Sequence, residues 1–226
     1  MRILAVIPAR AGSKGIPNKN IRIICGHPLI YYAINNAKNS KYITDIVVTT
    51  DSPHIKIIAK QMSVQCKWRD ERLCADDVTL DAVIDDAIDK DIQWDYIVTM
   101  QPTSPTLMTS TLDKAIEYAI KNKLDTLISA INSPHLSWKE KDGVKVPAYK
   151  ERLNRQYLPA NYLETGAFVI SKADIVTPDT RIGKKVDVFE ISENEAVDVD
   201  TFLDLKIVSD ILNVKKVAIY VNGNNQ

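Results

Sequence analysis

Neither sign of charge is in excess in this 226-residue chain: 29 lysines and arginines stand against 29 aspartates and glutamates. Such a balance gives no bulk field for nucleic acid or an anionic membrane, so any basic site must be local. No run approaches the roughly 20 apolar residues that cross a bilayer, and no small-residue cleavage site follows a hydrophobic stretch near the start. The expectation is a soluble, cytoplasmic protein with no membrane or nucleic-acid partner. Cysteines are few: Cys25, Cys66 and Cys74. Their odd number and unpaired spacing read as reduced structural thiols, not a disulfide frame, a zinc site or a nucleophile. The Gly-x-x-x-x-Gly-Lys-Ser/Thr loop and the Gly-x-Gly-x-x-Gly fingerprint are both missing. There is no internal repeat and no low-complexity tract.

What is present is a core-forming α/β pattern. The hydrophobic fraction of 45% is ample for one large domain. Apolar runs over residues 3–7, 43–50, 64–68, 96–100 and 126–131 predict strands. Helical patterns begin after Pro28 and at Asp51 or Ser52, and cover residues 79–90 and 109–121. Short alternation of this kind predicts parallel βαβ units with helices on both faces of one sheet. Ligands of such sheets sit beyond the carboxyl ends of the strands. The loops after Ile7, Thr50, Trp68 and Met100 then share one edge. The rhythm breaks over residues 132–163, which Pro134, Gly143, Pro147 and Pro159 punctuate. That stretch reads as an excursion, either a hairpin arm or a surface loop. The fold resumes at residues 166–171.

The densest signal lies in the first 20 residues. The strand over residues 3–7 opens into a loop with Pro8, Gly12, Gly15 and Pro17. Arg10, Lys14, Lys19 and Arg22 stand in or beside that loop, with no acid among them. Glycines let backbone N–H groups approach a ligand and cations neutralise phosphate. A nucleotide phosphate site is indicated, although on residue types alone a solvated basic turn fits as well.

An acidic pair lies far down the chain, where Val197-Asp198-Val199-Asp200 precedes a helical pattern over residues 202–212. In extended backbone, residues two apart share a face. Asp198 and Asp200 then stand side by side, with Val197 and Val199 turned inward. Adjacent carboxylates repel unless a cation lies between them, and Mg²⁺ takes one or two carboxylates plus phosphate oxygens. The alternative is that Asp200 or Thr201 caps the helix and Asp198 is only exposed. Gln101-Pro102-Thr103-Ser104-Pro105 alone marks a turn. Residues 217–221 read as a short apolar strand of no assigned function.

Taken as whole strings, these motifs are more particular. Arg10-x-Gly12-Ser13-Lys14-Gly15-x-Pro17-x-Lys19-Asn20 resembles the signature of the acylneuraminate cytidylyltransferases, also called CMP-sialic acid synthetases. Four further strings resemble the same family. They are Asp198-Val199-Asp200-Thr201 with Leu203-Asp204-Leu205, the Gln101–Pro105 segment, Arg69 with Leu73 and Asp76, and Arg155-Gln156-x-Leu158-Pro159 before Gly166-Ala167. Asp70 stands where the family usually has proline. The matches run from Arg10 to Leu205.

The resemblance implies a Rossmann-like nucleotidyltransferase fold, mostly parallel with helices on both faces. It would be a single domain over residues 1–226, with residues 132–163 as an inserted arm. That arm would pair two subunits in a homodimer and complete the neighbour's site. The implied reaction joins CTP and a nine-carbon sialic-type acid to give CMP-sugar and pyrophosphate, with Mg²⁺ (or Mn²⁺) on Asp198 and Asp200. Lys14, Lys19 and Asp200 would carry the catalysis. Ala9, Arg10, Gly12, Ser13, Asn20, Arg69, Asp76 and Thr79 would bind the nucleotide. Gln101, Thr103, Ser104, Lys139 and Arg155 would bind the sugar acid.

One departure concerns the sugar. Thr165-Gly166-Ala167-Phe168-Val169 stands where the family often has Asn-Gly-Ala-x-Tyr. A hydroxyl and an aliphatic group replace an amide and a phenol expected to face the sugar. N-acetylneuraminate, its deaminated analogue KDN and legionaminate-like acids all stay open. The sister enzyme for the eight-carbon acid KDO carries Arg-Leu-Pro where this chain has Lys14-Gly15-Ile16-Pro17, and ranks lower. From another class, a non-catalytic nucleotide-binding protein on the same fold is the alternative, against which the joint presence of basic loop and acidic pair speaks.

Overall fold

The computed structural model describes residues 1–13 and 15–223, with side chains as far as Val214. Its strands are β1 (Ile3–Pro8), β2 (Ile23–Ile24), β3 (His27–Pro28), β4 (Asp45–Thr50), β5 (Gln65–Trp68), β6 (Tyr96–Thr99), β7 (Thr126–Asn132), β8 (Trp138–Lys141), β9 (Val144–Pro147), β10 (Tyr162–Lys172) and β11 (Val186–Glu190). Its helices are α1 (Leu29–Asn39), α2 (Pro53–Gln61), α3 (Leu80–Ala87), α4 (Thr109–Lys121) and α5 (Phe202–Gly223).

Seven strands form the central sheet in the order β11-β7-β10-β6-β1-β4-β5. β1 lies parallel to β4 and β6, β4 to β5, and β7 to β11. Only β10 is reversed, antiparallel to both β6 and β7. The sheet is thus mostly parallel, as expected, with one reversed strand that residues 166–171 alone did not reveal. Alternation along β1 builds two layers. Ile3, Ala5 and Ile7 face a core shared with α1, α2 and α4. Leu4 and Val6 face the opposite layer, with Ile84, Ala87 and Ile88 at α3. Period-two side chains serving both faces are the mark of a strand buried between helices.

Three boundaries differ from expectation. α3 stops at Ala87 because Ile88 adopts extended backbone. β11 is not expected from its sequence: Val-Asp-Val-Phe-Glu is only five residues long and carries acids at its second and last positions, so no clear apolar run marks it. Residues 217–221 are not a strand: they continue α5, which runs unbroken to Gly223. No proline interrupts the run from Phe202 and its only glycine is at the end, so nothing stops a helix once begun.

The excursion is shorter than the expected 132–163, because Asn132 still belongs to β7 and Tyr162 and Leu163 already pair in β10. Residues 133–161 leave the sheet, and β8 and β9 pair there as a separate antiparallel hairpin. Its turn places Asp142 at φ 52° and Gly143 at φ 76°, the left-handed pair that an Asp-Gly hairpin turn requires. Trp138, Val144 and Tyr157 are exposed along this excursion. Among the described residues, no helix is long and apolar enough to cross a membrane.

Candidate active site

The site is built where the loop after β1 meets the segment before α5. Ile16 is fully buried, and with Val199, Val208, Leu29, Ile24 and Leu212 it forms a small apolar cluster of its own. That cluster stitches the basic loop to the acidic pair across most of the chain. The fit is close: a Cβ at Gly15 would stand 2.5 Å from the Asp200 carbonyl oxygen. Lys19 completes the seam by donating to Val199 O at 2.7 Å and to Asp200 Oδ1 at 2.9 Å.

Asp200 does not cap α5. The cap is a reciprocal pair in which Asp204 N–H donates to Thr201 Oγ1 at 3.3 Å and Asp204 Oδ2 accepts from Thr201 N–H at 2.7 Å. This is a capping box. The Asp200 carboxylate therefore faces the cleft with Lys19 as its partner. Asp198 is exposed and, unlike Asp200, is not among the residues lining the cleft, yet the protein around it raises its carboxyl above the usual range. Asp200 adds to the rise, while the Thr103 hydroxyl and Lys19 oppose it.

The loop is preshaped on its other side. Asp51, after β4, accepts from Ala11 N–H at 2.7 Å, while Ser52 caps α2 through Ile55 N–H at 3.4 Å. Asn20 is buried and donates to Arg10 O at 3.1 Å. Buried Ala9 donates its N–H to Thr49 O at 3.0 Å. Arg69 is buried as well and donates to Thr49 O at 3.0 Å; burial lowers its pKa from the ordinary arginine value.

Together these groups enclose a cleft of about 340 Å³ lined by Arg10, Ser13, Gly15, Lys19, Asn20, Arg69, Gln101, Thr103 and Asp200, with Pro8, Leu80 and Pro102. A neighbouring hollow of about 400 Å³ contains Gly12, Ser13, Asp51, Cys74 and Asp76. Arg10 lines both, and its Nη1 lies 2.7 Å from Asp76 Oδ1. Ser104 is buried behind Thr103.

Other expected residues sit elsewhere. The Thr79 hydroxyl accepts from Ala82 N–H at 3.5 Å as the cap of α3, and Leu80 takes the place at the wall. Lys139 is on β8 and Arg155 follows the hairpin; both are exposed and neither lines the cleft of its own chain. Arg22 donates to Pro17 O at 3.2 Å and lies over the Phe202 ring, outside the cleft. Lys14 lies outside the described residues. Thr165 turns away from the cleft and donates to Ser129 Oγ at 2.7 Å, so it does not present its hydroxyl where the motif comparison put it.

The sequence profile of the cytidylyltransferase family matches residues 4–223. The chain belongs to that family. It is a CTP-dependent nucleotidyltransferase of the acylneuraminate type. Among its relatives is "Post-translational flagellin modification protein B" of Campylobacter coli, 33% identical over 94% of this chain and 96% of that one. The CMP-N,N'-diacetyllegionaminic acid synthase of Campylobacter jejuni is 31% identical over 96% of this chain and 97% of its own length. A solved structure of CMP:2-keto-3-deoxy-manno-octonic acid synthetase with CTP shares the fold at a TM-score of 0.71 and 15% identity, over 95% of this chain and 100% of that one.

The donor set of this cytidylyltransferase suits a hard cation. Asp198 and Asp200 offer carboxylate oxygens, and among the described residues no group of three or more His, Cys, Asp or Glu is arranged to hold a metal ion by itself. That falls short of an all-protein cage and fits Mg²⁺, which draws its remaining ligands from phosphate and water. Leu80, Asp51 and the Gly15–Asp200 approach were not found from sequence. Asp51 had a signal in its place at a strand's carboxyl end; Leu80 and Gly15 had none, because their roles are contacts between distant segments.

Proposed function

We propose that this chain transfers CMP from CTP to the anomeric hydroxyl of a nine-carbon sialic-type acid, releasing pyrophosphate. One observation carries the reading: a single cleft joins the basic loop at Arg10, Ser13 and Lys19, the carboxylate of Asp200, and the Gln101–Thr103 segment. A phosphate-binding surface and a polar sugar-binding surface thus share one wall.

In this reading Arg10, Ser13 and Lys19, with Lys14, hold the triphosphate. Gly12 and Gly15 let the loop backbone come close to it. Asn20 and Arg69 orient cytosine and ribose. Gln101 and Thr103 receive the acid, with Ser104 buried next to them. The anomeric oxygen attacks the α-phosphorus in line, and the bond to the β-phosphate oxygen breaks as the new one forms. Positioning and charge neutralisation do most of the work in such transfers, so Arg10 and Lys19 stabilise the leaving pyrophosphate. Arg10 must exchange Asp76, and Lys19 part of its hold on Asp200, for phosphate oxygens as CTP enters. Asp198 and Asp200 would hold Mg²⁺, which neutralises phosphate charge when bound. Lys139 and Arg155 stand off the cleft, so they would act in the cleft of a second copy in a cytoplasmic homodimer.

The test is pyrophosphate release from CTP and Mg²⁺ with N-acetylneuraminate, KDN, N,N'-diacetyllegionaminate and KDO in parallel. Release with a nine-carbon acid is expected, and chelation should stop it. Release with KDO alone would replace the substrate class. CTP binding with silence across the panel would overturn the catalytic reading.

A further inference from the structure

Strand β10 does not run straight past β7. Its register shifts between Glu164 and Val169, leaving a bulge over residues 165–168. One hydroxyl holds that bulge. Ser129 on β7 is 0% exposed. Its Oγ donates to Phe168 O at 2.9 Å, and accepts from Phe168 N–H at 3.0 Å and from the Thr165 hydroxyl at 2.7 Å. One proton and two lone pairs are then all used.

The consequence appears at Gly166, in the middle of the bulge. A Cβ there would lie 3.3 Å from both Cδ and Nε2 of Gln101, and 3.4 Å from its Oε1. The bulge is therefore the wall behind the Gln101 amide, which faces the cleft. No hydrogen bond among the described residues holds that amide. On the Gly166 side, an added methyl group would crowd it.

We propose that Ser129 and Thr165 form a clasp that fixes the bulge and, through Gly166, positions the Gln101 amide for the sugar acid. Ser129 and Thr165 are then positioning residues and not ligands. This rests on the reading above that the acid binds against Gln101.

The test is steady-state pyrophosphate release by Ser129→Ala, Thr165→Val, the double variant, Gly166→Ala and Thr165→Ser, with CTP and the acid varied separately. The first two and Gly166→Ala should raise KM for the acid about three- to tenfold, the range one hydrogen bond commands, with KM for CTP unchanged. The double variant should be no worse than either single one, and Thr165→Ser should behave as the parent. A rise in Thr165→Val with none in Ser129→Ala would make Thr165 a direct contact and overturn the clasp. An equal rise in both KM values would mean general loosening and overturn it too. A second readout needs no turnover: the ¹⁵N–¹H signal of the Gln101 side-chain amide, assigned by its loss in Gln101→Leu. It should move in Ser129→Ala and Gly166→Ala; an unmoved signal would overturn the proposal. If the parent turns over no acid, the proposed function falls and the amide signal still decides the clasp.

Discussion

Lys19 and Asp200, 181 positions apart, are joined at 2.9 Å, and the lysine also holds the carbonyl of Val199. This bond fastens the basic loop to the acidic segment at the mouth of the cleft. The Lys19 side chain is 14% exposed and that of Asp200 71%, so solvent screens the pair and its worth to stability is small. Its value lies in placing opposite charges where a nucleotide triphosphate and a cation would meet.

The first prediction separates Asp200 from the helix cap. Asp200→Ala should leave the melting temperature nearly unchanged and lower kcat by about 100-fold, the scale of a lost electrostatic group in a site. Asp204→Ala breaks the capping box, costs about 1 kcal/mol and should lower Tm by about 2–4 °C for a domain of this size. Differential scanning calorimetry beside a rate assay decides it. Equal melting losses in both variants would make Asp200 a structural residue.

Gly15 and Gly12 should differ sharply although both sit in the same loop. A methyl group at Gly15 would meet the Asp200 carbonyl oxygen at 2.5 Å, whereas one at Gly12 meets nothing within 4 Å. Gly15→Ala should cost about 1–3 kcal/mol through overpacking and open the seam, lowering kcat. Gly12→Ala should stay within about 0.5 kcal/mol of the parent. Urea unfolding midpoints measure both.

Arg69 is held by Thr49 through its Nη2 at 3.0 Å and its Nε at 3.4 Å. A lysine keeps the charge and loses the planar fork. Arg69→Lys should therefore raise KM for CTP about tenfold, with little change in KM for the acid. Titration calorimetry with CTP is an independent check, and unchanged affinity would remove Arg69 from the nucleotide site.

Stability on the acid side should depend on Asp125, at the far end of the sheet. Lys172 Nζ at 2.8 Å and the N–H groups of Lys185 at 3.0 Å and Lys184 at 3.2 Å converge on its carboxylate. The Lys172 bond chiefly, then the Lys185 N–H, lowers its pKa to about 2 from 3.8. A depressed acid stabilises the fold above its unfolded pKa and ceases to do so as pH falls through the folded one. The unfolding midpoint should drop between about pH 4 and pH 2, and Asp125→Asn should flatten that part of the profile. An unchanged profile would dismiss the anchor.

The sequence by itself determined the layers and the chemical type of the site. Apolar runs and capping residues are local, so β1 and α4 were legible from their own stretch of chain. The basic loop and Asp198-Val199-Asp200 were legible because each packs its chemistry into a few consecutive positions. Tertiary structure alone decided what those positions touch. It left the Asp200 carboxylate to Lys19. It turned Thr165 inward onto Ser129 and reversed β10. It also left Lys139 and Arg155 outside the cleft of their own chain. The physical reason is one of range: hydrophobic period and caps act over a few residues, whereas the close approach of Gly15 to Asp200 and the Gly166–Gln101 contact exist only after distant segments pack together.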